Sequence, residues 1–331
     1  MSLAAHTAIP PLLLSATQLS GLLKSADPPR ILDATWFLNM PNQAPRSGHA
    51  EYLHGPRIPG ALYWDVDLVA TRGEAVRNLP HMMPSASVFA EAATKHGVSP
   101  KTHVVVYDAQ GIFSAPRTAF TFKAFGHEAV SVLDGGMPAW VEAGLPLDTA
   151  ALKEDPHVEP ATYAAPTLQE NWIRSFDEML ANAKQGARAQ TVLDARPAAR
   201  FDGSTPEPRP GMASGHIPGA RSLPFLSVLA SHTTSDSRMP GCTYTTLKPQ
   251  HELWKAVSDA LGGGDAIEQL RHDGSAKGSA GASLSCGSGM TASILWLALQ
   301  QLGVHGAIYD ESWMGWGKRA ADGEAPVETS Q

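Results

Sequence analysis

Cys286-Gly287-Ser288-Gly289-Met290-Thr291 is the stretch of this chain best suited to chemistry. A thiol opens it, two glycines follow at alternate positions, and a helical pattern begins at Thr291. Glycine permits positive φ and close backbone approach, so successive N–H groups can curl around one point. The helix adds the positive end of its dipole and its unpaired first N–H groups. An anion is stabilised at such a focus, whether a thiolate or a persulfide. The chemistry on offer is nucleophilic: a thiolate attacks, forms a covalent intermediate and hands the acquired group on. A lone cysteine is ordinarily a small buried hydrophobe. The glycine pair and the helix start set Cys286 apart. Cys242, in Met239-Pro240-Gly241-Cys242-Thr243, has neither and reads as incidental.

The elements that must position this loop alternate. Val104 to Tyr107 is a β-branched run of buried-strand type, Thr118 to Phe125 has helical spacing, and Val130 to Leu133 returns to strand. In the second half Thr291 to Leu302 reads as a helix and Ile308-Tyr309 as the next strand. Strand, helix, strand at this spacing predicts a mostly parallel sheet with helices on both faces. Ligands on such sheets bind beyond the carboxyl ends of the strands, where Asp108 and Cys286 fall.

The halves repeat each other. Ile31-Leu32-Asp33-Ala34 recurs as Val192-Leu193-Asp194-Ala195, and Ile58-Pro59-Gly60-Ala61 as Ile217-Pro218-Gly219-Ala220. Val104 to Asp108 matches Ala282 to Cys286, and Val132 to Gly135 matches Ala307 to Asp310, with Trp140 and Trp316 following their aspartates at equal spacing. An ordered set of matches at so long a period implies a duplicated domain rather than a solenoid. The expected division is a domain at 12–148, a Pro- and Ala-rich linker at 149–166, and a second domain at 167–325. The first-half loop from Asp108 should be about two residues longer than the cysteine loop, judged by the aspartate landmarks. Residues 262–281 are Gly-, Ser- and charge-rich, lack a first-half counterpart, and read as an exposed insertion.

Composition narrows the function classes. Hydrophobic residues make up 43% and charged residues 17% of the 331, which is globular rather than disordered. A net charge of -7 with interspersed signs argues against a nucleic-acid partner. No apolar run approaches the about 18 residues of a membrane helix. Two cysteines make neither a disulfide scaffold nor a zinc site, so a reducing compartment and no metal are expected. The Pro10-Pro11 stretch is too short and proline-broken for a signal core, and Ser15 to Lys24 reads as a capped helix. The cytoplasm is the expected location, with mitochondria the alternative.

The six-residue cysteine loop, Gly215-His216-Ile217-Pro218-Gly219-Ala220 and Tyr309-Asp310-Glu311-Ser312-Trp313 together resemble the rhodanese superfamily in its two-domain form. The resemblance spans nearly the whole chain, from Ser15 to Trp316. It implies an α/β fold of two tandem rhodanese-like domains, each a mostly parallel sheet flanked by helices, with the nucleophile in the second only. The loop is similar to that of 3-mercaptopyruvate sulfurtransferases. Thiosulfate sulfurtransferases typically place basic residues where Gly287 and Ser288 stand here. The implied activity moves sulfur from 3-mercaptopyruvate, through a Cys286 persulfide, to a thiol, thioredoxin or cyanide, without a cofactor. Thiosulfate is the alternative donor. A phosphatase is disfavoured because related phosphate loops are longer and end in arginine, and a non-catalytic binding module is disfavoured by the intact cysteine.

The resemblance also suggests partners for the nucleophile. Arg200 and Arg209 would grip the donor's carboxylate and carbonyl, a task suited to the planar guanidinium fork. Arg196 would hold the loop by pairing with a carboxylate. The backbone of Gly287, Gly289, Met290 and Thr291 would cradle sulfur. Ser288 would work with His81 and Asp67, with Asp65 as the alternative carboxylate, to move a proton. Trp36, Trp64 and Phe113 are candidates either for the cleft or for plain packing, and Trp313 and Trp316 for anchoring the last turn. The family usually carries glycine at 311 and glutamate at 315; Glu311 and Gly315 put the geometry of that turn in question.

Overall fold

A computed structural model of the chain describes residues 9–39, 43–208, 211–275 and 279–329. In the first half, β1 (Leu13–Leu14), β2 (Arg30–Asp33), β3 (Leu62–Tyr63), β4 (Val104–Tyr107) and β5 (Val130–Leu133) form one sheet, ordered β1-β5-β4-β2-β3. Its pairings are all parallel. Helices α1 (Ala16–Leu22), α2 (Gly48–His54), α3 (Ala86–Lys95) and α4 (Ala115–Ala124) connect the strands, and α5 (Gly136–Glu142) follows β5.

The second half rebuilds this plan. It contributes β6 (Ile173–Arg174), β7 (Val192–Asp194), β8 (Arg221–Ser222), a hairpin of β9 (Leu229–Thr233) and β10 (Thr243–Leu247), then β11 (Ala282–Ser285) and β12 (Gly306–Tyr309). The parallel sheet runs β6-β12-β11-β7-β8, the first-half order strand for strand. Its helices are α6 (Phe176–Ala183), α7 (Ala198–Phe201), α8 (Gln250–Leu261), α9 (Asp265–Asp273), α10 (Ala292–Gln301) and α11 (Ser312–Ala321). The duplication extends to local chemistry: α1 and α6 each begin with a capping box, Ser15 with Gln18 and Ser175 with Glu178.

Burial explains the patterning. All four residues of β4 are buried, as expected of a central strand covered on both faces. Helices α4 and α10 are buried almost all round, because each lies on its own sheet and against the other. Phe120 on α4 meets Trp296 on α10 edge to face at 5.4 Å. One hydrophobic cluster therefore runs through both halves, holding Val104 and Phe120 with Leu284 and Trp296.

One reading is refined, and one element is new. Residues 265–273 are helix α9, whose Ile267 and Leu270 are buried, so the segment is not simply an exposed insertion; residues 276–278 lie outside the described residues. The β9–β10 hairpin is a second addition, and it clasps the first domain. Thr245 N–H donates to the Gln110 carbonyl, Leu247 N–H to Asp134, and Arg238 to the Val141 and Leu145 carbonyls. Among the described residues no helix is long and apolar enough to cross a membrane.

At the carboxyl end of β4 sits Asp108, fully buried. Its Oδ2 accepts the N–H groups of Phe113, Ser114 and Ala115, each at 2.9 Å, and its Oδ1 accepts that of Gln110. The carboxylate thus satisfies the orphan amides at the start of α4. Between landmark aspartates the first half is longer by two residues, but only one falls in this loop; the other lies in the turn between α4 and β5. Replacing Asp108 by alanine leaves these donors buried without an acceptor. The Asp108→Ala variant should lose on the order of 3 kcal/mol in denaturant unfolding. An unchanged midpoint and slope would contradict this role.

Candidate active site

Cys286 follows β11 and is 1% exposed. Its Sγ accepts the Gly289 N–H at 3.1 Å. Gly289 has φ +82, the positive value that glycine makes accessible, whereas Gly287 is not in that region. The N–H groups of Met290, Thr291 and Ala292 find no acceptor among the described residues. They are the counterparts of the three amides that close on Asp108 in the first domain. The same strand-to-helix turn therefore carries a filled cradle in one domain, and in the other a sulfur beside amides that remain free to bond an anion.

The loop is pinned from behind. The first N–H groups of α11 bond it, Trp313 to the Cys286 carbonyl at 2.8 Å and Met314 to the Gly287 carbonyl at 3.0 Å. Ser293 Oγ donates to the Gly289 carbonyl. Trp313 and Trp316 are fully buried, and their indole N–H groups bond the Ala213 and Pro326 carbonyls. The two departures in this turn compensate each other. The Glu311 side chain lies over Gly315, where a Cβ would collide with it, and pairs with Arg319 at 2.8 Å.

The first domain brings a second set of groups. His81 Nδ1 lies 2.9 Å from Ser288 Oγ, and its Nε2 lies 3.2 Å from Asp67 Oδ1. Trp36 donates its indole N–H to Asp67 Oδ2 at 2.9 Å and meets the His81 ring edge-on. Asp65 instead caps its own turn and accepts the N–H groups of Asp67 and Leu68. Asp67, not Asp65, thus faces His81. Close contact with the His81 ring, reinforced by the Trp36 indole N–H, holds the Asp67 carboxyl below the usual carboxylate range despite partial burial. His81 itself has φ +60, a rare backbone conformation for a residue with a Cβ.

Two groups that hold His81 were not singled out from the sequence. Arg117 on α4 is buried, donates to the His81 carbonyl and pairs with Asp310 at 3.0 Å. Asp310 in turn accepts the Met83 N–H across the interface at 2.9 Å. A Cβ on Gly289 would stand 3.0 Å from Arg117 Nη1, so this first-domain cation abuts the cysteine loop. Asp310 was visible only as a landmark of the repeat. Arg117 lies inside an otherwise apolar helical pattern, where its charge gave no signal of partnership.

The interdomain cleft beside Cys286 encloses about 320 Å³. Ser288, Met290, Arg200, Trp36 and Phe113 line it, whereas Trp64 packs in the core against Phe122. Arg200 pairs with Glu207, and its Nη2 lies 4.0 Å from where a Gly287 Cβ would be. Arg200 Nη1 has no acceptor among the described residues. Arg196 is held by Asp194, Glu207 and the Gly215 carbonyl and stacks over Trp313, the pairing expected of it. Arg209 lies outside the described residues.

Comparison with known proteins agrees with this architecture. The model of the rhodanese-like domain matches residues 15–143 and again 175–319. A probable 3-mercaptopyruvate sulfurtransferase of Schizosaccharomyces pombe is 36% identical over 301 residues, covering 90% of each chain. The Arabidopsis thaliana protein named thiosulfate/3-mercaptopyruvate sulfurtransferase 1, mitochondrial, is 34% identical over 318 residues, 91% of this chain and 74% of its own. The crystal structure of the 3-mercaptopyruvate sulfurtransferase SseA from Escherichia coli superposes with a TM-score of 0.69 at 29% identity, covering 92% of this chain and 99% of that one. With its two halves matched in turn and its topology duplicated strand for strand, the chain belongs to the rhodanese family.

Proposed function

We propose that this chain is a sulfurtransferase that takes sulfur from 3-mercaptopyruvate, carries it on Cys286 as a persulfide, and passes it to a thiophilic acceptor. One observation carries the reading: a buried cysteine sulfur accepts the Gly289 N–H in a loop whose next three amides have no acceptor among the described residues, while the equivalent amides in the first domain hold a carboxylate. The Cys286 thiolate attacks the donor's sulfur. The carbon–sulfur bond breaks, and its electron pair passes to the enolate of pyruvate. Amides of Met290 and Thr291 stabilise the transferred sulfur. Arg200, with one nitrogen uncommitted, is suited to the donor's carboxylate. Arg209 is proposed for the same task on the resemblance alone.

Ser288, His81 and Asp67 are proposed to return a proton to the enolate. Asp67 orients the His81 Nε2–H; with a second proton on Nδ1, the Ser288 hydroxyl gives its proton to the enolate carbon and takes the Nδ1 proton in its place, and the ring regains a proton from solvent. Domain boundaries near 148 and 167 and a cytoplasmic location are also proposed, with mitochondria the alternative. A thiol, thioredoxin or cyanide would complete the cycle. Thiosulfate is the second donor to consider, since two Arabidopsis thaliana relatives are named for both. Against it, the two residues after Cys286 are uncharged.

Three outcomes follow. Incubation with mercaptopyruvate should add one sulfur atom, located on Cys286 by peptide mass, and Cys286→Ser should take up none; a Cys286→Ser protein with full turnover would overturn the reading. Mercaptopyruvate should exceed thiosulfate in kcat/KM, and Arg200→Gln should lower the mercaptopyruvate value about 100-fold, mainly through KM. A preference for thiosulfate would reverse the donor assignment. Ser288→Ala and His81→Ala should each cut kcat by about 100-fold with little change in KM. Unchanged kcat in both would show that the proton travels elsewhere.

A further inference from the structure

Beside the Cys286 cleft lies a second and larger hollow of about 460 Å³. Its floor is the carboxyl end of the first-domain sheet, with Asp33 ending β2 and Tyr107 ending β4. Its roof is the β9–β10 hairpin, which the first domain's own plan does not contain. Ligands on open parallel sheets settle at this end of the strands. In the first domain the amide cradle is already occupied by Asp108, so the hollow has no anion seat of its own kind.

Two features tie this hollow to the reaction. Phe113 and Phe225 line both cavities, and their rings meet at 6.2 Å, so a pair of phenyl rings forms the common wall. The lining also carries both signs of charge on a surface that is otherwise largely carbon. Arg46 and Glu51 stand at an exposed rim as a two-point pair, both contacts 2.7 Å, and Asp33 is buried on the floor. Burial pushes the Asp33 carboxyl up to about 6, so it can accept or donate near neutral pH. Paired charges of both signs suit a zwitterion, whose carboxylate takes the guanidinium and whose ammonium takes a carboxylate.

We propose that this hollow is an acceptor subsite for a small amino-acid or peptide thiol. The zwitterionic body lies against Arg46 and Glu51, and the thiol passes the Phe113–Phe225 wall to reach the sulfur on Cys286. The proposal rests on the sulfurtransferase reading above. The acceptor thiol first loses its proton to water. Its thiolate then attacks the outer sulfur of the Cys286 persulfide and forms a new S–S bond. The bond from the outer sulfur to Sγ breaks, and Sγ leaves as a thiolate with the electron pair. The acceptor departs as a persulfide, and no outside oxidant or reductant is needed. Cyanide, which has no body to hold, would bypass the subsite.

The test uses the whole chain, saturating mercaptopyruvate, and four acceptors: glutathione, cysteine, 2-mercaptoethanol and cyanide. Leu226, exposed at the hollow, and Arg46 do not line the Cys286 cleft. Leu226→Trp should obstruct the hollow and raise the KM for glutathione about tenfold, and Arg46→Gln should do the same for glutathione and cysteine. In both variants, kcat/KM for cyanide should stay within about twofold of the parent, and Arg46→Gln should spare 2-mercaptoethanol. Unchanged glutathione KM in both variants overturns the subsite. Equal losses with cyanide and glutathione overturn it as well, because they report damage to the shared machinery. If the parent protein transfers no sulfur even to cyanide, the sulfurtransferase reading fails first and the subsite falls with it.

Discussion

The start of a helix presents amides that the helix itself cannot satisfy, and at the dry end of a parallel sheet they require an anion. Both domains of this chain create that demand at the same turn. Asp108 meets it in the first domain with a permanent carboxylate, bonded by four backbone N–H groups. In the second, Cys286 stands at the equivalent strand end with a single amide on its sulfur. The duplication thus supplies its own internal comparison. One copy has its cradle permanently filled by protein, which favours stability, and the other leaves donors for a sulfur that comes and goes.

Holding the second cradle is a task shared across the interface. Arg117 from the first domain abuts Gly289 and pairs with Asp310, and Asp310 bonds the backbone beside His81. A buried ion pair of this kind contributes little net stability, but loss of either partner strands the other charge. Its effect is to fix register: His81, in its strained conformation, is set against Ser288 only when the domains sit correctly. The continuous cluster between α4 and α10 provides the apolar force that holds this alignment.

Much of this was legible from residue order. The strands containing Val104 and Val130 and the helix after Thr291 fall where periodicity put them, because buried strands and helices leave strong apolar patterns. Cys286 was legible because glycine spacing and a helix start coincide with it. Asp67 and His81 were not legible from spacing; only family resemblance pointed to them, since their meeting with Ser288 depends on tertiary contact. Arg117 was overlooked because a buried charge inside an apolar helix leaves no periodic trace. Segment 265–273 was read on its composition as an exposed insertion; most of it is exposed, but Ile267 and Leu270 stand at helical spacing and are buried. The hairpin was missed because its value lies in clasping a distant domain.

The most direct test of the central claim is a high-resolution crystal structure of the protein after reaction with mercaptopyruvate. The outer sulfur of the Cys286 persulfide should lie within about 3.5–4 Å of at least two backbone nitrogens among Met290, Thr291 and Ala292. An outer sulfur directed into the surrounding side chains, with those amides bonded to other protein atoms, would contradict it.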